Sequence, residues 1–468
     1  MKKLLCLLLA LLMPLAACAE TVVLSPEEPQ VLTLWHYYNG IQQQTFDRLV
    51  LTFNETVGMD LGIIIEPASQ GGVNDLTEKL MDAANGKTGA QRMPDIFAAY
   101  ADTAHAVNQM GLVADLSPYI TAEEQEEYVD AYMQEGQLDR AGSLKVFPTA
   151  KSTEVLLLNK TEWDAFAASA GADLSRLSTW EGMAEVARMY YDWSGGKTFF
   201  GRDAFANYIL IGSLQLGVEM FQVEEGVMTL NLDENVLRRL WDNYVVPYVN
   251  GWYGAYGRFR SDDVKTGQLV ALVGSTSGAL YFPSEVTRDD GTTYPIDCLV
   301  LPLPNFADTV PCAVQQGAGM VVTRSTPEKE YAATVFLKWF TQVENNIDFS
   351  LSSGYLPVKK AANEENVLHA AMDERGVSPL LRSIMETGAE ITRGYRLYTN
   401  NAFDRGTEAR QVVETSMQQA AADARAMLED MLSAGVEREE AVAMLTGDHA
   451  FAQWLETFRA DMAEALEQ

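Results

Sequence analysis

Histidine and cysteine, the side chains that most often bind catalytic metals, are rare in this sequence. The 468 residues include four histidines and four cysteines. The histidines do not pair at metal-ligand spacing, and the sequence contains no His-Glu-x-x-His motif. They are His36, His105, His369 and His449. We therefore expect neither a metal nor another cofactor.

Motifs for phosphate binding and nucleophilic catalysis are also incomplete. Two Gly-Lys-Thr runs begin at Gly86 and Gly196, but Met81 and Tyr191 stand where a P-loop requires glycine. Carboxylates are abundant throughout this acidic chain, so no pair is distinguished as the acid and base of a glycosidase. Nothing in the sequence favours turnover, and we expect a binding protein and not an enzyme.

One turn is rich in hydroxyl groups. The apolar run 269–273 leads into Gly274-Ser275-Thr276-Ser277-Gly278, which offers three hydroxyls and free backbone donors at the start of a helix. Such a turn suits an anion or a ligand hydroxyl, although a simple capping turn is an equal alternative. Thr276 occupies the position where a nucleophile elbow requires serine, so acyl transfer is not indicated.

Three further candidate side chains lie beyond the three-quarter point of the chain. Tyr355 is held between Gly354, which suits the end of a helix, and Pro357, which prevents the helix from resuming. Arg393 and Arg396 bring two guanidinium groups into an irregular stretch, and this geometry suits phosphate or carboxylate. Core packing for the tyrosine and surface salt bridges for the arginines are the alternatives.

The elements around these residues alternate between strands and helices. Apolar runs at 31–35, 61–65 and 94–97 are each followed by a turn and a helical pattern, which is typical of a parallel sheet. The segment 144–159 begins a second unit, and residues 361–468 are almost entirely helical in pattern. Because the chain exceeds a comfortable single core, we expect two α/β lobes.

The N-terminus and the charge indicate where the protein works. Lys2 and Lys3 precede a short apolar run that ends in Leu15-Ala16-Ala17-Cys18, as in a secretory signal peptide. The last four residues resemble a bacterial lipobox, which implies that residues 1–17 are removed and that Cys18 is lipidated, with residues 18–30 as a tether. Ordinary cleavage near Ala17 or Ala19 is the alternative. The net charge of −31 disfavours binding to nucleic acid or to anionic lipid.

Two cysteines remain after this processing. Cys298 and Cys312 flank a proline-containing loop, and in an exported protein they could form one disulfide. Two unpaired thiols are the alternative.

Several stretches together resemble family 1 extracellular solute-binding proteins, which serve ATP-binding-cassette importers. The stretches that carry the resemblance are Val31-Leu32-Thr33-Leu34-Trp35-His36, Met93-Pro94-Asp95-Ile96, Ser152-Thr153-Glu154-Val155-Leu156-Leu157-Leu158-Asn159-Lys160, Thr179-Trp180-Glu181 and Ser353-Gly354-Tyr355-Leu356-Pro357. The resemblance implies a type II clamp of two lobes, each a mostly parallel sheet flanked by helices, with a helical C-terminal region. We expect crossings near Ile120, Leu299 and Asn345. Lobe 1 would then contain residues 31–120 and 300–345, and lobe 2 residues 121–299 and 346–468.

Within this family the chain is most similar to receptors for glycerol-3-phosphate and its diesters. That similarity implies ligand contacts from Ser152, Ser275, Ser277, Gly317, Tyr355 and Arg396. Asn39 and Ser69 stand where those relatives present an acidic residue and an aromatic residue, and we expect both to contact the ligand as well.

The resemblance therefore predicts an exported, monomeric lipoprotein that is attached to the outer face of the cytoplasmic membrane only through its lipid. It would deliver glycerol-3-phosphate, a glycerophosphodiester or a sugar phosphate to permease subunits of an importer. A receptor for a neutral oligosaccharide is the first alternative. An exported phosphodiester or glycan hydrolase and a surface adhesin or sensor are the alternatives from other classes.

Overall fold

The computed structural model describes residues 22–138, 142–224, 227–288 and 290–467. Within these residues, two separate β-sheets each carry a hydrophobic core of their own. The predicted α/β architecture with two lobes is confirmed. The predicted signal peptide and Cys18 lie outside the described residues.

The first part of the chain alternates strands and helices, as predicted. Its elements are β1 (Gln30–His36), α1 (Gly40–Glu55), α2 (Val57–Leu61), β2 (Ile63–Ser69), α3 (Val73–Ala84), β3 (Ile96–Ala99), α4 (Ala101–Gln109), α5 (Ala122–Glu126), α6 (Asp130–Glu135) and β4 (Val146–Phe147). Strand β1 pairs in parallel with both β2 and β3. The carboxyl ends of these three strands therefore meet at one edge of the sheet.

The second part of the chain builds the other sheet. Its elements are β5 (Glu154–Asn159), α7 (Lys160–Ala170), α8 (Trp180–Ser194), β6 (Phe200–Arg202), α9 (Phe205–Gln215), β7 (Phe221–Glu224), β8 (Val227–Leu230), α10 (Glu234–Asn250), α11 (Arg260–Lys265), β9 (Ala271–Ser275), β10 (Glu285–Thr287), β11 (Thr293–Pro295), β12 (Cys298–Pro302) and β13 (Cys312–Val314). The order of the main sheet is β12-β5-β9-β6.

The direction of these strands differs from the expectation of a mostly parallel sheet. The pairs β12 with β5 and β5 with β9 are antiparallel, whereas β6 and β9 are parallel. The reason is that β5 leads away from the junction of the lobes while β9 returns to it, so that Glu154 lies opposite Ser275. The amino end of β5 and the carboxyl end of β9 therefore meet at the junction.

The last part of the chain completes both lobes. Its elements are β14 (Gly319–Val322), α12 (Pro327–Phe340), α13 (Val343–Ser353), α14 (Glu365–Arg375), α15 (Pro379–Gly394), β15 (Arg396–Tyr398), α16 (Gly406–Ser433), α17 (Arg438–Thr446) and α18 (Asp448–Glu467). Strand β14 inserts between β3 and β4, antiparallel to both. Gly354 ends α13 with φ 71°, which confirms the predicted helix stop.

The two cores define the lobes. We call the described residues of 22–150 and 318–358 lobe 1, because Leu34, Tyr128, Phe147 and Val321 share one core. We call the described residues of 154–314 and 396–467 lobe 2, because their apolar side chains form the clusters on the two faces of the second sheet. Helix α14 packs in an apolar cluster with α13, and α15 joins that cluster on one side and packs against β5 and β12 of lobe 2 on the other.

The crossings between the lobes fall later in the chain than the expected positions near Ile120, Leu299 and Asn345. They lie at 151–153, at 315–317 and after Val358. Residues 121–138 and 142–150 stay with lobe 1 because their aromatic side chains are buried in its core. Residues 300–314 stay with lobe 2, where Val300 lies in β12, and so both expected lobe boundaries shift.

Candidate functional site

Two crossing segments lie side by side where the lobes meet. The backbone N–H of Ser152 donates to the carbonyl of Gln316 at 2.7 Å, and the N–H of Gln316 donates back at 2.9 Å. Gly317 adopts φ 100°, and a Cβ there would lie 2.9 Å from the carbonyl oxygen of Ala150. Only glycine fits this conformation and this close approach, so the crossing depends on it.

The ends of the first crossing carry opposite charges that are buried in opposite lobes. The fully buried Lys151 forms an ion pair with Glu135 of lobe 1 and donates to the carbonyl of Gly317 at 2.7 Å. Glu154, which is 1% exposed, accepts from Arg202 of lobe 2 at 2.9 and 3.1 Å. Each lobe therefore holds one end of the crossing through a buried ion pair.

Lobe 1 brings a group of tyrosines to the junction. The hydroxyls of Tyr37 and Tyr355 lie 3.3 Å apart, and Tyr355 is only 6% exposed. The ring of Tyr355 stacks on Phe349 with a centroid distance of 6.1 Å. Burial raises the pKa of Tyr355, and hydrogen bonding to Tyr37 and Ser277 acts in the opposite direction. This phenol therefore stays protonated and links the lobes.

The predicted hydroxyl turn follows β9 in lobe 2 and faces that tyrosine. The hydroxyl of Ser275 accepts from the N–H of Gly278 at 3.0 Å and lies 3.2 Å from the hydroxyl of Ser277. A Cβ at Gly354 would lie 2.9 Å from the carbonyl oxygen of Thr276, so the tyrosine stretch and the turn are in close contact. Ser275 therefore caps its own turn, and the same turn also lies at the junction of the lobes.

A cavity of about 1040 Å³ extends from this turn along lobe 2. Its inner end is formed by Glu154, Ser275 and Gln316, beside the crossings. Its outer wall carries Phe259 and Tyr281, whose side chains are 52% and 65% exposed. The cavity thus combines hydroxyl and amide groups at one end with open aromatic faces at the other.

The loop that carries Phe259 is held by a buried ion pair. Asp263 accepts from the backbone N–H groups of Tyr256 and Gly257 at 3.1 and 2.6 Å, and Arg260 donates to the carbonyl of Gly257 at 2.5 Å. Arg260 and Asp263 are 4% and 1% exposed and contact each other at 2.5 Å. The aromatic wall is therefore fixed by lobe 2 itself.

Charges of both signs line the cavity. Arg258 and Lys265 are cationic, and they are outnumbered by acidic side chains. The acidic residues are Glu154, Asp203, Asp262 and Glu285. Burial raises the pKa of Asp203, while the neighbouring Arg260 acts in the opposite direction. The cavity therefore has no excess of positive charge.

The structure brings five of the predicted ligand residues together at the junction of the lobes. They are Ser152, Ser275, Ser277, Gly317 and Tyr355. Asn39 and Ser69 lie on lobe 1, where Asn39 is exposed before α1 and the hydroxyl of Ser69 donates to the carbonyl of Tyr38 at 2.8 Å. Neither of these two residues lines the cavity of lobe 2.

Arg396 does not lie at the hydroxyl turn. It is exposed in β15, and its N–H donates to the carbonyl of Pro311 at 3.0 Å. It lines a separate cavity of about 610 Å³ together with Glu219 and Asp233. The predicted pairing of Arg396 with a ligand phosphate beside Ser275 and Tyr355 is therefore not supported by the positions of these residues.

The expected disulfide is also absent. Cys298 and Cys312 are free cysteines, and they pack in different apolar clusters because β12 pairs with β5 whereas β13 pairs with β15. Burial raises the pKa of Cys298 to about 12 and that of Cys312 to about 11. Burial therefore favours the protonated form of both thiols.

Several cavity residues have no individual signal in the sequence. Gln316 directly precedes the predicted Gly317, Glu154 lies two residues after the predicted Ser152, and Phe259 follows an aromatic and glycine-rich stretch. Across the described residues, no group of three or more histidine, cysteine or acidic side chains could hold a metal. In that same part of the chain, no helix is both long and apolar enough to cross a membrane.

Comparison with known sequences identifies the class of protein. Residues 49–373 match the profile of the bacterial extracellular solute-binding proteins, and the chain belongs to this family. Membership of an extracellular family indicates an exported protein, as predicted. A search of curated proteins finds no match.

Solved structures show the same fold at low sequence identity. The cyclic α-maltosyl-1,6-maltose binding protein of Arthrobacter globiformis is 18% identical, with a TM-score of 0.65 over 92% of this chain and 100% of that one. UgpB of Mycobacterium tuberculosis, solved with glycerophosphocholine, is 16% identical, with a TM-score of 0.65 over 93% and 99%. Lmo0181 of Listeria monocytogenes, solved with cycloalternan, is 15% identical, with a TM-score of 0.64 over 92% and 99%.

Proposed function

We propose that this protein is the receptor of an ATP-binding-cassette importer and that its solute is a neutral oligosaccharide. The observation that carries the proposal is the cavity of about 1040 Å³, with hydroxyl and amide groups at its inner end and exposed aromatic faces along its wall. That volume lies at the upper end of the usual range for ligand sites. It suits several sugar rings better than a single glycerol phosphate.

Sugar chemistry matches both ends of the cavity. The C–H face of a pyranose ring packs on an aromatic side chain, and Phe259 and Tyr281 offer such faces to solvent. Sugar hydroxyls both donate and accept hydrogen bonds, so they can pair with the hydroxyl of Ser275 and with the amide of Gln316. The mixed charges of the cavity favour a neutral solute over a free anion.

A glycerophosphodiester is the second candidate. Arg258 and Lys265 line the same cavity and could contact one phosphate, and a glycerophosphocholine-binding relative shares the fold. Under this alternative, the choline group would pack on an aromatic face through a cation–π contact. Glycerol-3-phosphate held by Arg396 is disfavoured, because Arg396 lines the other cavity.

Transport requires that the loaded receptor is recognised by membrane subunits. We propose that closure of lobe 1 over the cavity of lobe 2 covers the solute, and that the closed form docks on the permease as a monomer. Lipidation at Cys18 would hold the receptor at the outer face of the membrane. The family consists of binding proteins, so release of a modified product from the solute would contradict this proposal.

A thermal-shift panel tests the choice of solute, since a ligand that binds only the folded protein raises its melting temperature. The panel contains maltotriose, maltotetraose, cycloalternan, glycerophosphocholine and glycerol-3-phosphate. We expect stabilisation by at least one oligosaccharide and none by glycerol-3-phosphate. Stabilisation by glycerophosphocholine alone would favour the second candidate, and stabilisation by none of the five would contradict both.

A further inference from the structure

A chain of polar contacts runs from the buried interior of lobe 2 to the cavity. Arg202, which is 4% exposed, donates to both oxygens of the Glu154 carboxylate at 2.9 and 3.1 Å. Asn207 donates to the same carboxylate at 2.8 Å and to the amide oxygen of Gln316 at 3.4 Å. Gln316 is partly exposed and lines the cavity. The chain therefore begins at a buried cation and ends at an amide that a ligand can reach.

The chemistry of these groups fixes the direction of every contact. A guanidinium group can only donate, so both oxygens of Glu154 act as acceptors. The side-chain atom of Asn207 that meets Glu154 must then be its NH₂ group, because the amide oxygen could not donate. The other hydrogen of that NH₂ group faces Gln316, which must accept it with its amide oxygen. The NH₂ group of Gln316 is consequently directed away from Asn207.

Arg202 is itself locked in place, so the chain cannot easily reverse. Its guanidinium also donates to the carbonyls of Asp203 and Ala204 at 3.3 and 3.1 Å. It further lies 5.9 Å from the ring centroid of Trp180 and 5.7 Å from that of Tyr208. Ala204 adopts a left-handed conformation with φ 47°, which is unusual for a residue with a side chain. The structure thus maintains a strained residue beside this contact.

We infer that Gln316 is a specificity-determining residue that presents hydrogen-bond donors, and no acceptor, to an oxygen atom of the solute, and that Asn207 is the positioning residue that sets this polarity. The inference rests on the proposed function, because it deepens the description of the same site. The solute class that fits is one with ether or hydroxyl oxygens at the end that reaches the crossings, as in an oligosaccharide. A solute that offered only donors at this point would be rejected.

The position of Gln316 also connects the ligand with the hinge. Its backbone exchanges two hydrogen bonds with Ser152, and Gly317 follows it directly. A ligand held by the Gln316 side chain therefore contacts the segment about which the lobes turn. Ligand binding at this point is expected to restrict the movement of both crossings at once.

The direct test follows the side-chain NH₂ signals of the full exported chain labelled with ¹⁵N-glutamine. The loss of one signal pair in Gln316→Glu assigns Gln316, and Gln419, which donates to Asp423 on the surface helix α16, serves as the control signal. Maltotetraose and glycerophosphocholine are titrated separately, and calorimetry reports whether each binds. We expect the binding compound to shift the Gln316 pair and not the Gln419 pair.

The outcomes separate the inference from the proposed function. Binding of a compound without movement of the Gln316 signals would overturn the inference alone. Absence of binding by every compound of the thermal-shift panel would overturn both the inference and the proposed function. Gln316→Glu keeps an oxygen that can accept from Asn207 and should weaken binding at least tenfold with an unchanged melting temperature. Gln316→Leu removes the donor as well as that acceptor and should weaken binding at least as much.

A double-mutant cycle tests the role of Asn207. Asn207→Leu should weaken binding. In that background, Gln316→Leu should reduce the affinity much less than it does in the wild type, because without Asn207 the amide of Gln316 no longer has a fixed orientation. The control is Asn243→Leu on α10, where the removed amide donates to the carbonyl of Arg239 at 2.9 Å. Additive losses for Asn207 and Gln316 would show that Asn207 is merely structural.

Discussion

The aromatic residues of lobe 1 that reach the junction are mostly buried, whereas those along the cavity of lobe 2 are open. Tyr37 and Tyr355 are 8% and 6% exposed, and their hydroxyls contact each other. Phe259 and Tyr281 are 52% and 65% exposed. The difference indicates that the lobes have different roles. Lobe 2 supplies the surface that a solute can contact first, and lobe 1 supplies the contacts that join the lobes.

Both lobes nevertheless hold the first crossing in the same way, through buried charges. Lys151 points into lobe 1 and Glu154 points into lobe 2. Only Glu154 lines the cavity, so the lobe 1 pair supports the fold while the lobe 2 pair also supports the site. The following predictions test this contrast.

The largest effect is expected from removal of the buried cation in lobe 1. Lys151→Met leaves Glu135 without its partner in an environment where its side chain is 10% exposed. Loss of one partner of a buried pair costs about 3–5 kcal/mol in the free energy of unfolding. Urea denaturation measures the change. The matched control is Lys360→Met, whose pair with Asp130 is exposed and contributes about 0–1 kcal/mol. Equal losses in the two variants would refute the structural role of Lys151.

The pH dependence of stability gives the second effect, which again concerns lobe 1. Burial lowers the pKa of His36 to about 4, from an unfolded value of 6.5. The unfolded state therefore binds the proton more readily, so the stability that the neutral imidazole contributes is present above pH 6.5 and is lost as the pH falls towards 4. Between pH 7 and pH 4.5 the loss is about 2 kcal/mol. In His36→Gln, the unfolding free energy should decline less over this interval, and identical declines in both proteins would contradict the account.

A smaller effect on affinity is expected from the exposed wall of lobe 2. Tyr281→Ala removes an aromatic face from the cavity and should weaken oligosaccharide binding about tenfold. Calorimetry measures the dissociation constant. Trp193→Ala is the control, because Trp193 is 37% exposed on α8 and does not line the cavity. If both variants bound equally tightly, the aromatic wall would have no role.

The corresponding change in lobe 1 is Tyr355→Phe. It keeps the stacked ring and removes only the hydroxyl that contacts Tyr37 and Ser277. One such hydrogen bond contributes about 1 kcal/mol, and in this position it stabilises the contact between the two lobes. We expect affinity to fall about fivefold, less than for Tyr281→Ala. A greater loss than for Tyr281→Ala would reverse the assigned division between the lobes.

Arg396→Ala should have the smallest effect. Its side chain lies at the separate cavity with Glu219 and Asp233, so solute affinity should remain within twofold of the wild type. Titration of the solute that binds the wild type measures this directly. Abolished binding would restore Arg396 to the site and would favour a phosphate-bearing solute.

Local patterns in the sequence were sufficient to predict many of these elements. The strand that ends at Ser275, the strand after Gly317 and the helix stop at Gly354 follow from apolar runs and from the conformational needs of glycine. The hydroxyl turn and Tyr355 were therefore predicted together with the elements that hold them. The structure brings both to the same junction.

The features that local patterns could not predict depend on pairing between strands that are far apart in the sequence. Arg396 lies where it does because β15 pairs with β13, whose residues are more than eighty positions earlier in the chain. The same limitation applies to the crossings, since the ends of a helix reveal neither which sheet it packs against nor where the chain changes lobe. Gln316 is an ordinary polar residue in the sequence, and only its contact with Asn207 distinguishes it.

Calorimetric titration of the full exported chain with the oligosaccharide that stabilises it most and with glycerol-3-phosphate tests the central claim most directly. The proposed function predicts saturable binding of that oligosaccharide, with loss of affinity in Tyr281→Ala and no loss in Arg396→Ala. It also predicts no binding of glycerol-3-phosphate. Binding of glycerol-3-phosphate alone, with its loss in Arg396→Ala, would contradict the assignment of the solute to the cavity of lobe 2.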